Sequence, residues 1–279
     1  MQSNRLKFLS ISVVLFLSLV VNLSAGDMWA GYVSQKWTSA SGLPGNTVTD
    51  IIQGNDGYMY IGTYDGLVRF DGCEFKIINH TTMENFNFSS ARAIFQDSNG
   101  VMWIGSNDEG VARIEGKKLT TYTIANGLPN NSIRAIVEDK QQNIWIGTAD
   151  GVIYITPQGN IVTPSGLAAY GDDKCLVVSL YCDTAGRVWM ATTKTHGVYY
   201  YTPNSQTFKA YTGFNAIDYS TVNAVAQDSD GSFWFGLTQR GVVHVSEGKA
   251  VHYESMSGYA DETINHIFCD SNGNMWFGT

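Results

Sequence analysis

The stretch NNSIRAIVEDKQQNIWIGTADGVIYI (130–155) reads as three consecutive β-strands divided by two short turns. NSIRAIVED (131–139) alternates apolar and polar residues with period two, the pattern of a strand with one buried face. KQQN (140–143) is a turn, IWIGTAD (144–150) a second strand, Gly151 a break and VIYIT (152–156) a third strand. Pro157-Gln158-Gly159 turns the chain again, and a weaker run from Ile161 to Thr163 supplies a fourth strand.

This unit recurs. Its second strand appears as YIGT (60–63), WIGS (103–106), WIGT (145–148), WMAT (189–192), WFGL (234–237) and WFGT (276–279). The lead aromatics Tyr60, Trp103, Trp145, Trp189, Trp234 and Trp276 are 43, 42, 44, 45 and 42 residues apart. A period this regular, with no helical pattern inside it, predicts four short strands per repeat stacked side by side. The expected fold is all-β, a β-propeller of four-stranded antiparallel blades. Five blades are full and a sixth is partial, stopping at Thr279 directly after its second strand. YVSQKWT (32–38) and LTTYTIA (119–125) both precede a Gly-Leu-Pro turn and read as outermost, fourth strands.

The signature makes packing sense. Trp and Gly in WIGT share one strand face, so a bulky indole stands beside a bare backbone that a neighbouring blade can fill. The small position holds Gly62, Gly105, Gly147, Ala191, Gly236 and Gly278. DSNG (97–100), DSDG (228–231) and DSNG (270–273) resemble calcium loops, but Trp or an apolar strand follows at once and the further oxygen ligands are missing. They read as Asx-turns, with Gly at positive φ.

Charged residues are 15% of the chain and hydrophobic ones 44%, with 29 Gly, 13 Phe, 7 Trp and 15 Tyr, which describes a packed, turn-rich fold. The net charge of −8 and the lack of any basic cluster beyond the first residues argue against a nucleic-acid surface. Residues 1–26 have the pattern of a signal peptide: Arg5 and Lys7, the apolar run from Phe8 to Val21, then Ser24-Ala25-Gly26. Residues 27–279 are then a propeller domain that is periplasmic or secreted. The four cysteines show no metal-site spacing and no disulfide framework, and no cofactor is expected.

The repeat, roughly (V/I)xx(I/V)xxDxxGxxWxGTxxG(V/L), resembles that of the two-component regulator propellers. GNTVTDIIQGNDGYMYIGTYDGLVRFDG (45–72) and residues 130–155 carry it best, and SGLP (41–44) and NGLP (126–129) match as well. The resemblance covers about residues 32–279 and implies the periplasmic sensor region of hybrid histidine kinases of the Bacteroides type, which sense glycans. It implies no catalysis by this chain, which carries no kinase core. Repeat 4 departs furthest, with Ala191 for Gly and the longer loop TTKTH (192–196).

In such blades the loops between strands 2 and 3 emerge on the same side as the blade-joining loops, and binding groups concentrate on loops held by a rigid scaffold. The expected ligand face therefore holds Tyr64, Asp65, Asn107, Asp108, Glu109, Asp150, Lys194, His196, Gln239 and Arg240. Asn46, Asn131, Asp218, Tyr219 and Glu262 join it from the blade-joining loops. One column near the start of each first strand holds Thr49, Arg92, Arg134, Val178, Asn223 and Asn265. Arg92 and Arg134 are placed to grip a carboxylate or sulfate, but in so acidic a chain pairing with neighbouring Asp or Glu is the expected arrangement. The opposite side offers repetitive DSNG-like turns. A small-molecule or oligosaccharide ligand is the expected partner, and the partial sixth unit leaves an edge for self-association or pairing with further propeller repeats. The competing readings are a secreted lyase or hydrolase, for which His196 with Glu109, Asp150 or Asp218 is the assembly available, and a protein-interaction scaffold.

Overall fold

The computed structural model describes residues 35–167, 175–193, 197–203, 205–213, 222–254 and 263–279. Within them the chain forms five antiparallel sheets of four strands and one sheet of two, each with its strands in chain order. Blade 3 is built from Ile133–Glu138, Ile144–Thr148, Gly151–Ile155 and Ile161–Val162. The two-stranded sheet pairs His266–Cys269 with Met275–Gly278. Five full blades and a partial sixth are thus the observed architecture. The first strands of the first five blades are Val48–Gln53, Ala93–Gln96, Ile133–Glu138, Val177–Cys182 and Val222–Gln227. With His266–Cys269 they lie against one another in succession, so the propeller axis runs along them.

Each blade is locked by its turn. In five blades the aspartate of the turn stands six residues before the tryptophan of strand 2, and the indole N–H donates to its Oδ2. The bonds are Trp103 to Asp97 (2.9 Å), Trp145 to Asp139 (2.7 Å), Trp189 to Asp183 (2.8 Å), Trp234 to Asp228 (3.1 Å) and Trp276 to Asp270 (2.9 Å). The other carboxylate oxygen closes the Asx-turn: Asp139 Oδ1 accepts from the Gln141 and Asn143 amides at 2.9 Å each. The Asx-turn was expected, but the indole bond was not. Blade 1 has Gly54 at the aspartate position, and the bond is rebuilt from Asp56, whose Oδ2 accepts from the Tyr60 hydroxyl at 2.8 Å.

The indoles then pack against the following blade. Trp145, fully buried, meets Tyr201 and Phe208 of blade 4 with ring centres 4.7 and 5.8 Å apart. Trp189 meets Phe233 and Phe235 of blade 5. Trp103 is buried in the same way, and Trp234 is half-buried against Phe277. The glycines beside Trp145 and Trp103 receive the next blade's first strand: a Cβ on Gly147 would lie 2.5 Å from Val177 Cγ1, and one on Gly105 would lie 2.4 Å from Ile133 Cγ2. Ile51 and Phe268, on the outward faces of blades 1 and 6, are 54% and 56% exposed, and Trp276 is 40% exposed.

The stretches expected as fourth strands are corrected at their C-terminal ends. The strand Lys118–Tyr122 stops at Thr123, which caps a 3-10 turn over Ile124–Asn126. Thr38 likewise caps a turn over Ser39–Ser41, and residues 35–37 lie in no strand, while residues 32–34 fall outside the described residues. In both turns a glycine ends the turn in the left-handed region (Gly42, φ 107°; Gly127, φ 112°) and the next residue, Leu43 or Leu128, is buried. Extended backbone cannot make that reversal, which is why the Gly-Leu-Pro sequence marks it.

Asp139→Ala leaves the Trp145 N–H buried without an acceptor and removes three further bonds, from the Gln141 and Asn143 amides and from the Asn143 side chain. The expected loss is about 2–4 kcal/mol of unfolding free energy, read by denaturant titration. Trp145→Phe in the Asp139→Ala background should cost measurably less than in the parent, and additive losses would show the bond carries no coupling.

Candidate functional site

The first-strand column begins the site, because its members behave differently. The Thr49 hydroxyl donates to the Ala91 carbonyl, and Asn223 Nδ2 donates to the Ile264 carbonyl at 3.2 Å. Each ties one blade's first strand to the next, so both are structural latches. Arg92 and Arg134 make no such bond. Arg92 Nη1 donates to Asn107 Oδ1 at 3.2 Å, and its guanidinium carbon lies 5.7 Å from the centre of the Tyr64 ring, in cation–π range. The Tyr64 ring is 46% exposed. Arg134 is half-buried, and its Nε is enclosed with no hydrogen-bond partner. Burial and the charge of Arg92 push the Arg134 guanidinium below its ordinary value, with Tyr64 opposing. Among the described residues neither arginine has a carboxylate within ion-pair distance, contrary to the pairing expected in an acidic chain.

Tyr64, Arg92, Asn107 and Arg134 are therefore brought together where blades 1, 2 and 3 meet. The remaining expected residues divide. Glu109 is held by Ser89, whose amide and hydroxyl both donate to its Oε1, and its Oε2 is enclosed without a partner. Asp65 and Asp150 sit at strand 2–3 turns, their amides donating to Thr63 and Thr148 hydroxyls at 3.1 Å. Asp108 is exposed in the equivalent turn of blade 2. The Gln239 amide donates to the Thr263 hydroxyl, and Arg240 pairs with Glu254 at 3.4 Å. Lys194, His196, Asp218, Tyr219 and Glu262 lie outside the described residues. Asn46 and Asn131, expected on the ligand face, are anchors instead: their Oδ1 atoms accept from the Ser39 and Ile124 amides at 2.7 and 2.8 Å and hold the 3-10 turns.

Nearer the axis, the Asp50 carboxyl is pushed up by burial, against hydrogen bonds from the Ile94 and Ile51 amides and the charge of His266. The other described histidines on strands are engaged locally: His244 stacks on Trp234 at 4.2 Å with Nε2 on Ser232, and His252 Nε2 meets the Arg240 carbonyl. The thiol of Cys182 is pushed up to about 11 by burial, with Asp139 and Asp183 adding to it, so it is a poor nucleophile.

Sequence reasoning missed a cleft on the opposite side. A cavity of about 560 Å³ opens between blades 1 and 2, lined by Tyr60, Arg69, Lys76, Met83, Gln96 and Met102. It falls where a tyrosine replaces the indole and fills less of the interface. Burial, then the bond to Asp56, pushes the Tyr60 phenol up to about 12, so it stays a neutral donor. The usable signal was the single break in the tryptophan column.

A four-stranded-blade propeller with irregular residues gathered on its strand 2–3 loop side is the class that fold and site define. Residues 42–65, 85–108, 127–150 and 258–279 match the family described as two component regulator propeller, so the chain carries that family's repeats. Blades 4 and 5, with Ala191 and Leu237 in their strand 2 signatures, lie outside the matched stretches. A relative, Histidine kinase P4 of Formosa agariphila, is 36% identical over 78 residues, which is 28% of this chain and 6% of that one. The extracellular domain of the hybrid two component system BT3049 from B. thetaiotaomicron superposes with TM-score 0.72 at 22% identity, covering 84% of this chain and 32% of its own. The chain thus spans about a third of that domain's length. Virginiamycin B lyase from Staphylococcus aureus superposes with TM-score 0.66 at 14% identity, covering 82% of this chain and 76% of the lyase. At these identities both likenesses describe fold.

Two carboxyls report on the geometry in opposite ways. The turn bonds to Asp270, first from Trp276 and then from Asn274, hold it down at about 2, below its ordinary 3.8. Its contribution to stability is present above the ordinary value and is lost as pH falls toward 2. Asp50, raised, opposes folding as pH climbs from the ordinary carboxylate range through its folded value. Carboxyl NMR titration should separate the two, and His266→Ala should raise Asp50 further while leaving Asp270 in place. An Asp50 unmoved by that change would separate His266 from it.

Proposed function

We propose that this chain is the ligand-sensing propeller of an exported two-component receptor and acts by binding a glycan or glycan fragment without chemistry of its own. The observation that carries this reading is the family match of the repeats, with Tyr64, Arg92, Asn107 and Arg134 clustered on the loop side. An exposed aromatic ring beside polar and cationic donors suits a sugar, whose apolar face stacks while its hydroxyls and acids take hydrogen bonds. Among the described residues His244 and His252 are bonded within their own blade and Glu109 is held by Ser89, which supports binding over turnover. The signal-peptide pattern of residues 1–26 supports the export this reading requires.

Calorimetry of the purified protein against a panel of oligosaccharides tests the reading. Saturable binding that Tyr64→Ala weakens, with the sugar recovered intact, is the expected outcome. Absence of binding to every sugar, or polysaccharide cleavage by pure protein that His196→Ala abolishes, would replace it.

A further inference from the structure

We infer that Arg92 and Arg134 form a two-guanidinium clamp for an oxyanion, so that the ligand of this face is a sugar bearing a carboxylate or a sulfate. This rests on the glycan-sensing reading for the word sugar, but its charge requirement stands on the arginines alone.

Three observations converge on it. The equivalent positions Thr49 and Asn223 explain themselves as latches to the next blade's carbonyls, whereas the two arginines interrupt that role in neighbouring blades. The chain has 25 acidic residues against 17 basic ones, yet among the described residues no carboxylate lies within ion-pair distance of either arginine. Folding has thus set two like charges side by side, one of them half-buried with an unpartnered Nε. Two unmatched cations held together, one of them half-buried, repel each other, and a bound anion relieves both the repulsion and the missing bond at Nε. Asn107 orients Arg92 by accepting from Nη1, which leaves the other guanidinium N–H groups available. Tyr64 supplies the aromatic surface beside the charge, matching a pyranose ring with a charged substituent rather than a bare ion.

Carboxylate and sulfate share this chemistry, and the test separates them. Titrate the full chain with a galacturonate trisaccharide, a sulfated carrageenan disaccharide that bears no carboxylate, a neutral maltotriose, sodium acetate and sodium sulfate. One or both acidic sugars should bind, with affinity falling as salt rises. Arg92→Gln and Arg134→Gln should each weaken that binding ~10–100-fold, as loss of a charge-assisted bond does. Arg92→Lys should recover only part, since an ammonium cannot bind an oxyanion through two parallel N–H groups. Arg113→Gln, whose parent pairs at 2.8 Å with Glu115 of its own strand, Val111–Glu115, away from the site, serves as the control and should leave binding unchanged. Melting temperatures of both Gln variants should match or exceed the parent's, because relieving like-charge repulsion does not unfold the blades. Maltotriose binding as tightly as the acids, indifferent to both Gln substitutions, overturns the clamp and leaves the glycan reading intact. Acetate or sulfate binding that the substitutions abolish, with no sugar bound, keeps the clamp and overturns the glycan reading.

Discussion

The bond between a turn aspartate and an indole N–H six residues later is the contact on which this molecule depends. An indole is the largest group available to fill the wedge between two sheets, but it brings a donor that cannot be buried unpaired. The aspartate answers that need with one oxygen and shapes the turn with the other, so a single side chain joins turn geometry to interblade packing. Blade 1 shows how strong the requirement is. With Gly54 in place of the usual aspartate, the acceptor moves two residues on to Asp56 and the aromatic changes to Tyr60, whose donor sits at the end of a longer lever.

A repeating scaffold makes irregular residues informative. Five indoles in equivalent places are structural by their recurrence, and so are the small residues beside them. Where a column of equivalent positions holds residues whose bonds differ from blade to blade, the scaffold no longer accounts for them all. The latch made by Thr49 and Asn223 is a local solution to joining blades, and the joint between blades 2 and 3 holds without one. What stands there is therefore released from a packing role.

Much of the fold was legible in the sequence because strand periodicity and repeat spacing are local properties. The strands of blade 3, the small position at Gly147 and the turn at Asp139 could all be read without knowing what touches what. The constant spacing of Asp97 to Trp103 and of Asp139 to Trp145 was equally visible, but its meaning required seeing that strand 2 folds the indole back over the turn. The site was less legible. Asn46 and Asn131 look like ligand groups, polar and next to a first strand, until their amide oxygens are found holding backbone seven residues upstream. For Arg92 and Arg134, overall acidity predicted ion pairs. Net charge says nothing about where carboxylates lie, and the nearest partner to Arg92 is an amide. The cleft at Tyr60 arises from the volume left between two repeats, which no single repeat encodes.

The joints that follow blades 2 to 5 each bring together two unlike surfaces: an indole beside a glycine or alanine on one blade, and an aliphatic or aromatic face on the next. The tryptophan that fills such a joint and the aspartate that holds it both belong to the earlier blade. A fault in one turn therefore loosens the joint that follows it and leaves the joint before it intact.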